Sequence, residues 1–391
     1  MSHFRLLKTD TATGARLGEI NTTHGVVPTP VFLPVGSQAS VKTITPDELK
    51  EIGLNMVLAN TYHLYLRPGI EVIEKLGGLH NFMAWEGAIL TDSGGYQVFS
   101  LAGLNRITDE GVYFRSHIDG SQHFISPELA VEFQERLGAD IIMVLDECPS
   151  HCDSQPNIKG AMERTNLWAE RCLKAHRRRD QALYAIVQGG MDAKLRRFSA
   201  EYLTSLDFPG YAIGGLSIGE PKAVTLEMVS ETVACLPVGK PRYLMGVGSP
   251  EDIIEGILRG CDIFDSVLPT RVARNGAFFT GLGRFNISNA AYRLREEPLE
   301  KDCGCYACTH FSTAYIHHLY RAGELLAHRL LTIHNLSFIA SLVEKARRAI
   351  GGGEFKTFAA DFLAAYRPSD EAVRLSQKEK WLNSRRSRDL P

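Results

Sequence analysis

Acidic and amide side chains stand at the ends of short apolar runs in this sequence. Asp92, Asp146 and Gln188 each follow such a run, and Asp265 lies within the last one. A single aspartate at such a place is often only a helix cap. Several together are harder to explain in that way, because like-charged carboxylates in one pocket raise one another's pKa values. The pattern therefore predicts a functional carboxylate site.

The residue types around these carboxylates favour chemistry at the anomeric carbon of a sugar. In such reactions one carboxylate acts as nucleophile and another as acid or base. The glycine pairs at 189–190 and 214–215 would let a flat ligand approach the backbone closely. Tyr96 and Met245 could cover its two faces, although their spacing fits core-filling side chains equally well. Together these residues predict a pocket for a purine-like base attached to a sugar.

A second constellation has the spacing of a metal site. Cys303, Cys305 and Cys308 form a C-x-C-x2-C cluster, and three thiolates this close can surround one tetrahedral zinc ion. A closed site with three cysteines and one histidine would be structural. The alternative is a set of three unligated cysteines. Spacing alone leaves five candidates for the fourth ligand, namely His310, His317, His318, His328 and His334.

Strand and helix patterns alternate along most of the chain and must position these residues. Alternation of this kind favours a parallel sheet covered on both faces, whose strands are continuous apolar runs. Eight units favour an α/β fold of the (β/α)8 TIM-barrel type, with an open doubly wound sheet as the alternative. The predicted strands are residues 31–35, 55–59, 88–91, 140–145, 183–187, 211–213, 242–245 and 262–267. The predicted helices include residues 46–52, 127–137, 164–176, 193–205, 225–235 and 250–258.

Three stretches interrupt the alternation. Residues 4–33 predict N-terminal antiparallel hairpins, and 112–125 predict another hairpin because Asp119-Gly120 is a strong turn signal. The third stretch contains the cysteine cluster. We therefore predict three parts, which are a barrel with N-terminal hairpins (1–275), an inserted zinc-binding subdomain (276–340) and a C-terminal helical segment that completes the barrel (341–391).

The composition is that of an ordinary globular enzyme, with 44% hydrophobic and 23% charged residues. We expect a cytoplasmic protein without membrane contact, because the sequence has neither a continuous apolar run of about 18 residues nor a signal core. The formal net charge of −2 means that any nucleic-acid site must be a local basic patch. The candidate patches are residues 174–179, 271–274 and 385–388.

These motifs jointly resemble those of bacterial tRNA-guanine transglycosylases, the queuine tRNA-ribosyltransferase family. The resemblance extends over nearly the whole chain, and the combination of motifs is very specific. It implies a (β/α)8 barrel with a zinc subdomain inserted near the last strand. The motifs that carry it are residues 60–64, 67–69, 92–97, 146–148, 188–190, 214–216, 264–265 and 268–271, and the cysteine cluster with His334 and Asn335.

The resemblance also implies a role for each site residue. Asp265 would be the nucleophile that attacks the ribose C1′ of the wobble guanosine, and Asp92 the general acid/base. His334 would be the fourth ligand of one structural Zn²⁺ per subunit. Base-binding roles would fall to Tyr96, Asp146, Gln188, Gly215, Leu216 and Met245, and contacts with the tRNA anticodon loop to Gly246, Arg271 and Arg274.

By the same resemblance, the enzyme would be a pentosyltransferase, commonly a homodimer, that acts on tRNAs with GUN anticodons in queuosine biosynthesis. Bacterial members insert 7-aminomethyl-7-deazaguanine, whereas eukaryotic members insert the bulkier queuine. Ile218 would crowd the larger base and favours the bacterial substrate.

Two rival interpretations remain at this stage. A glycoside hydrolase would share the carboxylate pair but would not require the base-edge residues or the zinc cluster. A noncatalytic RNA-binding subunit would keep the zinc and a basic patch and could lose Asp265 without penalty.

Overall fold

A closed barrel of eight parallel strands forms the centre of the chain. The computed structural model describes residues 3–101 and 105–368 of the 391. The predicted tail arginines at 385–388 therefore lie outside the described residues. The strands are β1 (Phe4–Thr9), β2 (Arg16–Thr22), β3 (Gly25–Thr29), β4 (Val31–Gly36), β5 (Met56–Asn60), β6 (Ala88–Asp92), β7 (Asn105–Thr108), β8 (Gly111–Arg115), β9 (Gln122–Ile125), β10 (Ile141–Met143), β11 (Ala182–Val187), β12 (Gly210–Ile213), β13 (Arg242–Leu244), β14 (Ile263–Ser266), β15 (Ala277–Thr280) and β16 (Gly283–Asn286).

The barrel strands follow one another in the order β4, β5, β6, β10, β11, β12, β13 and β14, and β14 returns to pair with β4. This last pairing is parallel, with Asp265 opposite Leu33. Nearly all residues of the eight strands are buried, which explains why each appears as an apolar run in the sequence. The predicted (β/α)8 barrel is confirmed, and the alternative of an open sheet is wrong.

Helices cover the outside of the barrel, and their caps explain several of their starts. Thr45 begins a helix with a capping box in which its side chain and that of Glu48 satisfy each other's backbone N–H groups. Ser126 also caps a helix, whereas the hydroxyl of Ser249 instead donates to Asp252. The helices are α1 (Pro46–Glu51), α2 (Thr61–Leu66), α3 (Ile70–Lys75), α4 (Gly78–Met83), α5 (Gly95–Leu101), α6 (Pro127–Leu137), α7 (Gln155–Ala175), α8 (Ala193–Ser205), α9 (Lys222–Ala234), α10 (Pro250–Leu258), α11 (Leu268–Arg274), α12 (Tyr306–His310), α13 (Thr313–Ala322), α14 (Leu325–Gly352) and α15 (Phe355–Ala365), with a 3₁₀ turn at Ala290–Tyr292.

Three small antiparallel sheets interrupt the barrel where the sequence indicated. Strands β1–β3 form the N-terminal sheet, and β8 and β9 form the hairpin whose turn contains Asp119-Gly120. Strand β7 extends that hairpin to three strands, and the sequence pattern had not indicated it. Strands β15 and β16 form a two-stranded sheet that leads into the cysteine-containing segment.

Helix α14 is long and apolar, and its length and composition would by themselves allow it to cross a membrane. However, 61% of its most apolar window is buried inside the protein, as expected of a core helix. It packs against α11, β15 and β4, so it joins the cysteine-containing segment to the barrel. The helix runs without a break past residue 340, so the predicted domain boundary at that position lies inside it.

A buried ion pair ties the N-terminal sheet to the base of the barrel. Arg16 of β2 and Asp262, directly before β14, have side chains only 2% and 0% exposed. The Nε of Arg16 donates to Oδ1 of Asp262 over 3.1 Å, and its other nitrogens donate to two backbone carbonyl groups. Asp262 also accepts from the backbone N–H of Arg242 at the start of β13. The pair therefore links the first sheet to the last two barrel strands.

We predict that Asp262→Asn lowers the free energy of unfolding by about 3–5 kcal/mol, because it leaves the buried guanidinium of Arg16 without its counter-charge. Urea titration of both proteins would measure this. Glu19→Gln is the matched control, since Glu19 pairs with a largely exposed Arg5, and it should cost only about 0–1 kcal/mol. Equal effects of the two substitutions would contradict this role for the buried pair.

Candidate active site and metal centre

The three predicted aspartates meet at one rim of the barrel. Asp92 is the last residue of β6, Asp265 lies in β14, and Asp146 follows the end of β10. The strands are parallel, so their carboxyl ends surround one opening. The negative charges of Asp265 and Asp146 both act on Asp92, so the three groups share one electrostatic environment. The fold thus brings together carboxylates that are far apart in sequence.

Asp265 is nearly buried and is held through one of its oxygens. Its Oδ1 accepts from the hydroxyl of Tyr243 at 2.6 Å and from the backbone N–H of Gly246 at 2.7 Å. Burial raises the pKa of Asp265, and these two bonds oppose that effect by stabilising the anion. Because both bonds fall on Oδ1, Oδ2 remains for another interaction. Tyr243 was not among the predicted site residues, because its only signal in the sequence is its place in the strand next to that of Asp265.

Asp92 is a carboxyl group with a pKa suited to proton transfer near neutrality. Burial, together with the charges of Asp265 and Asp146, raises its pKa to about 7, although hydrogen bonds from Thr61 and Asn60 oppose the shift. The backbone N–H of Thr61 donates over 3.1 Å, and the side chains of Asn60 and Gln97 donate to Oδ2. Asn60 ends β5 in the way that Asp92 ends β6, a strand-end signal that was available in the sequence but had been given no role.

Asp146 and Gln188 form a buried polar pair. The Nε2 of Gln188 donates to Oδ2 of Asp146 over 2.8 Å, and the two residues are 0% and 6% exposed, respectively. Burial raises the pKa of Asp146 to about 6, partly offset by hydrogen bonds from Gln188 and Ser93. The Oε1 of Gln188 is buried and has no hydrogen-bond partner among the described residues. A buried acceptor of this kind points to a ligand that donates to it.

Glycine is required at two places where the backbone approaches this pair. A Cβ on Gly215 would lie 2.3 Å from Oε1 of Gln188, and Gly215 also has a φ of +67°. A Cβ on Gly95 would lie 2.6 Å from the carbonyl oxygen of Asp146. Both contacts are shorter than real Cβ atoms tolerate, so Gly95 and Gly215, the latter predicted to leave room for a ligand, also leave room for the polar pair itself.

One carboxylate closes the loop that follows Gly215 and Leu216. Glu220 accepts from the backbone N–H groups of Ser217, Ile218 and Gly219 and from the hydroxyl of Thr225. Burial would raise the pKa of Glu220, but these bonds hold it below its usual value. Leu216 is buried at 5% exposure and Ile218 is half-buried, so Glu220 fixes the wall on which both lie. Glu220 was not among the residues predicted from the sequence to shape the site.

The remaining residues predicted for the site lie at or near the same rim. Tyr96 in α5 is 45% exposed and Met245 directly after β13 is half-buried, so neither is a fully buried core residue. Gly246 is exposed with a φ of +73°, and a side chain there would meet open space. Arg271 and Arg274 lie on α11, directly after β14, with Arg271 exposed and Arg274 partly buried.

The basic stretch 174–179 lies elsewhere. It begins in the last turn of α7, a helix that returns from the rim to the opposite end of the barrel, and β11 begins shortly after it. Two of its four lysine and arginine side chains form ion pairs, Lys174 with Glu170 and Arg178 with Asp180. Cys148, near Asp146, has its pKa raised to about 12 by burial and by that carboxylate, so its thiol is neutral near pH 7.

The cysteine cluster is completed by His334 of α14. The Nδ1 of His334 lies 3.7, 3.7 and 3.3 Å from the sulfur atoms of Cys303, Cys305 and Cys308. In a tetrahedral zinc site, bond lengths of about 2.3 Å to sulfur and 2.0–2.1 Å to nitrogen give edges of about 3.5 Å. The Nε2 of His334 lies 2.7 Å from the carbonyl oxygen of Phe279, so Nε2 carries the proton and leaves Nδ1 free to ligate. The four side chains could therefore hold a metal ion.

The metal centre is connected to the helix that carries the arginines. Asn335, the residue after the ligating histidine, is fully buried. Its amide donates to the carbonyl groups of Pro269 at the start of α11 and of Ala277 in β15, and it accepts from Phe279 N–H. The segment holding the metal ligands therefore also fixes the start of α11.

A parallel barrel with buried, electrostatically coupled carboxylates at its carboxyl rim is typical of an enzyme of glycosyl transfer. The comparisons with known proteins make the class specific. The family model for queuine tRNA-ribosyltransferase matches residues 10–368.

Curated relatives named queuine tRNA-ribosyltransferase cover nearly the whole chain. The protein from Dehalococcoides mccartyi is 59% identical over 382 residues, which is 98% of this chain and 97% of the relative. Those from Pelotomaculum thermopropionicum and Moorella thermoacetica are 57% and 55% identical over 93% of this chain and 98% and 97% of their own lengths. The chain therefore belongs to the queuine tRNA-ribosyltransferase family, and it is a pentosyltransferase of tRNA-guanine transglycosylation in queuosine synthesis.

We predict that Cys305→Ser removes the bound metal and lowers the melting temperature, because an ion bound only by the folded protein stabilises that state. Metal content by atomic emission and thermal unfolding would measure both effects. Cys235→Ser is the control, because Cys235 is a partly exposed cysteine outside the cluster, and it should change neither quantity. A Cys305→Ser protein with wild-type metal content and stability would contradict the assignment.

Proposed function

We propose that the enzyme exchanges the wobble guanine of tRNAs with GUN anticodons for 7-aminomethyl-7-deazaguanine, by double displacement through a covalent aspartyl-ribose intermediate. The observation that carries this proposal is the pairing of two differently held carboxylates at one rim. Asp265 is anchored through Oδ1 by Tyr243 and Gly246, and Asp92 has a pKa of about 7. Local environments that give two carboxyl groups different protonation behaviour allow one to act as the nucleophile and the other as the acid/base.

In the first displacement, Oδ2 of Asp265 attacks C1′ of the nucleoside, the C1′–N9 bond breaks, and guanine departs with a proton from Asp92. In the second, the incoming base loses its proton to Asp92 and attacks C1′ as the ester bond to Asp265 breaks. Two inversions give net retention at C1′. Asp92 suits both steps, because a group with a pKa near the working pH donates and accepts protons about equally well.

The polar pair supplies recognition of the base. Oxygens of Asp146 can accept from N–H groups on the Watson–Crick edge of a guanine-like base, and the unpartnered Oε1 of Gln188 provides a further acceptor beside them. The backbone of Gly215 and Leu216 faces the opposite edge of the base. Tyr96 and Met245, neither of them fully buried, would cover the two faces of the ring.

The wall beyond Leu216 favours the smaller base. The aminomethyl group of the deazaguanine would point at the carbonyl oxygen of Leu216, a good partner for an ammonium group. Ile218 is half-buried in a loop whose backbone is held at three N–H groups by Glu220. A fixed, branched side chain there would clash with the cyclopentenediol of queuine.

Gly246, Arg271 and Arg274 form the proposed contact with the anticodon loop. Gly246 is exposed and the arginines lie on the helix after the strand of the nucleophile, so they are near the ribose that Asp265 would attack. Nucleic-acid binding by a protein with a net charge of −2 requires such a local cluster.

The remaining proposals concern the metal and the assembly. Zn²⁺ fits the cluster of Cys303, Cys305, Cys308 and His334 by ligand type and by spacing. Four protein ligands would leave no open position on the ion, so its role would be structural. Its role would be to hold the segment that fixes α11 through Asn335. We further propose a cytoplasmic homodimer, and sedimentation of the purified enzyme would test the dimer.

Incubation of the wild-type enzyme with tRNA and no incoming base is expected to give a protein–RNA adduct that survives denaturing electrophoresis. Asp265→Asn should form no adduct and should lose exchange of radiolabelled guanine, because an amide is not a competent nucleophile.

Asp361→Asn, on the exposed face of α15, is the control and should retain both activities. Adduct formation or guanine exchange by Asp265→Asn would refute the assignment of Asp265 as nucleophile. Binding of tRNA by the wild type with no guanine exchange would support the rival role of a noncatalytic RNA-binding subunit.

We expect substitutions at Asp146 and Ile218 to have different effects on which bases the enzyme uses. Asp146→Ala should reduce kcat/KM for every base by on the order of 10⁴ or more, because a site built to bond a polar edge loses that much when the bonds are lost. Ile218→Gly should selectively improve queuine, by an amount that corresponds to about 1–3 kcal/mol. The measurement is kcat/KM for guanine, the aminomethyl base and queuine. Efficient use of queuine by the unaltered enzyme would show that Ile218 does not exclude it.

Arg271→Ala is expected to weaken tRNA binding most at low salt, because each lost phosphate contact reduces the salt slope by roughly 0.7–0.9. Affinity measured across a series of salt concentrations gives this slope directly. Arg348→Ala is a matched control on α14, where an exposed arginine pairs with Glu344, and its slope should equal that of the wild type. An unchanged slope for Arg271→Ala would remove this residue from the RNA contact.

A further inference from the structure

Two histidines and one aspartate meet at the end of the barrel opposite the rim just described. His24 lies in the turn between β2 and β3, His80 lies in α4, and Asp140 directly precedes β10. We propose that these three residues form a second metal site, which binds a divalent transition-metal ion through two imidazole nitrogens and a carboxylate. The proposal is independent of the reaction and of the cysteine cluster.

The distances within this group suit one shared ion. The Nδ1 of His24 lies 2.8 Å from Oδ1 of Asp140, and the Nε2 of His80 lies 3.2 Å from Oδ2. One potential ligand atom from each residue lies within 4.8 Å of the other two. Ligands at about 2.0–2.1 Å from a zinc ion are separated from one another by about 2.9–3.4 Å. The three side chains are therefore close enough to share one ion once the ring nitrogens turn towards it.

His80 gives independent support for a missing partner. Its side chain is only 13% exposed, and its Nε2 is buried without a properly aligned hydrogen bond to any residue that the structure describes. Oδ2 of Asp140 lies 3.2 Å from this nitrogen, within the distance of an ion pair. A buried ring nitrogen left without a partner costs free energy, and a metal ion would satisfy it.

The surroundings of Asp140 stabilise its ionised form. Burial would raise the pKa of Asp140, but contacts with His80 and His24, the backbone N–H of Ile89 and the hydroxyl of Thr23 hold it well below its usual range. The Ile89 and Thr23 bonds, of 2.9 and 2.8 Å, fix one oxygen each and do not depend on the histidines. The carboxylate is therefore positioned by the fold even without the two rings.

The two imidazole rings are stacked, with centroids 3.5 Å apart and planes inclined by 14°. Neutral imidazole is the form that ligates metal ions. Because an imidazole nitrogen ligates in the plane of its own ring, at least one ring must turn out of this stack before both nitrogens can bind one ion.

The ligand set selects the class of ion. Two imidazoles and one carboxylate suit zinc, cobalt or nickel, whereas calcium and magnesium prefer sites made of oxygen atoms alone. The side chain of His24 is 35% exposed, so solvent can reach the site and supply the remaining ligands. Because the three residues come from the N-terminal sheet, α4 and the start of β10, a bound ion would join these parts at the base of the barrel.

The test is metal stoichiometry of the full chain with its cysteine cluster already loaded with zinc. Calorimetric titration of the wild type with Zn²⁺ should show that each chain binds one zinc ion in addition to that in the cysteine cluster. Binding of this ion should also raise the melting temperature. Titration with Co²⁺ should give the visible bands of nitrogen and oxygen ligation, without the near-ultraviolet charge transfer that thiolate ligands produce. This spectroscopic difference distinguishes the new site from exchange into the cysteine cluster.

His24→Asn and His80→Asn should each lower the affinity for the additional zinc ion by at least about 10-fold to 100-fold. A loss of this size is typical even when only an outer-shell partner of a metal ligand is removed. His318→Asn, an exposed histidine on α13, should bind like the wild type. Absence of the additional equivalent in the wild type would overturn the proposal whether or not the variants fold. It would also be overturned if the equivalent persisted in either histidine variant, because that ion would then be held elsewhere or by fewer residues.

Discussion

The parallel pairing of β14 with β4 is the constraint on which the rest of the structure depends. It joins the last strand of the barrel to the first, so that strands far apart in sequence share one continuous hydrogen-bonded wall. Without this closure, Asp265 would lie at a free edge, where water would screen its interaction with Asp92. With it, both carboxyl groups are removed from bulk water, and their pKa values rise because burial disfavours the charged form.

Each acidic side chain at this rim accepts hydrogen bonds from a different set of donors. Asp265 receives a phenol and a backbone N–H, Asp146 receives an amide, and Glu220 receives three consecutive backbone N–H groups. Asp92 receives a backbone N–H and two amides, but burial and the charges of Asp265 and Asp146 outweigh these donors and raise its pKa to about 7. Four acidic side chains at one rim thus acquire distinct protonation behaviour from their local partners, and this division is what general acid and base chemistry needs.

The parts of the fold that depend on local pattern could be predicted from the sequence. All eight barrel strands were predicted because they are buried on both faces, and the turn at Asp119-Gly120 was predicted because this dipeptide favours hairpins. The short helices α2–α4 and strand β7 were not predicted, since they have little periodicity of their own. Contacts between distant segments could not be predicted from the sequence either. An example is the hydrogen bond that the hydroxyl of Tyr243 donates to Asp265. Spacing left five histidines for the cysteine cluster, and only the folded chain brings the Nδ1 of His334 to all three sulfur atoms.

Helix α14 has a consequence for the order in which the protein is made. It comes after every barrel strand in the sequence, yet it packs against β4, the first of them, and against β1 and β2 of the N-terminal sheet. A nascent chain emerging from the ribosome therefore holds the early strands for most of its synthesis before the element that covers them has been translated. His334 and Asn335 are in the same late helix, so neither the cysteine cluster nor the start of α11 can be completed earlier. Biosynthesis thus delays the finished rim until nearly the whole described chain has been released, and the unfinished barrel spends that interval with apolar surface open to chaperones.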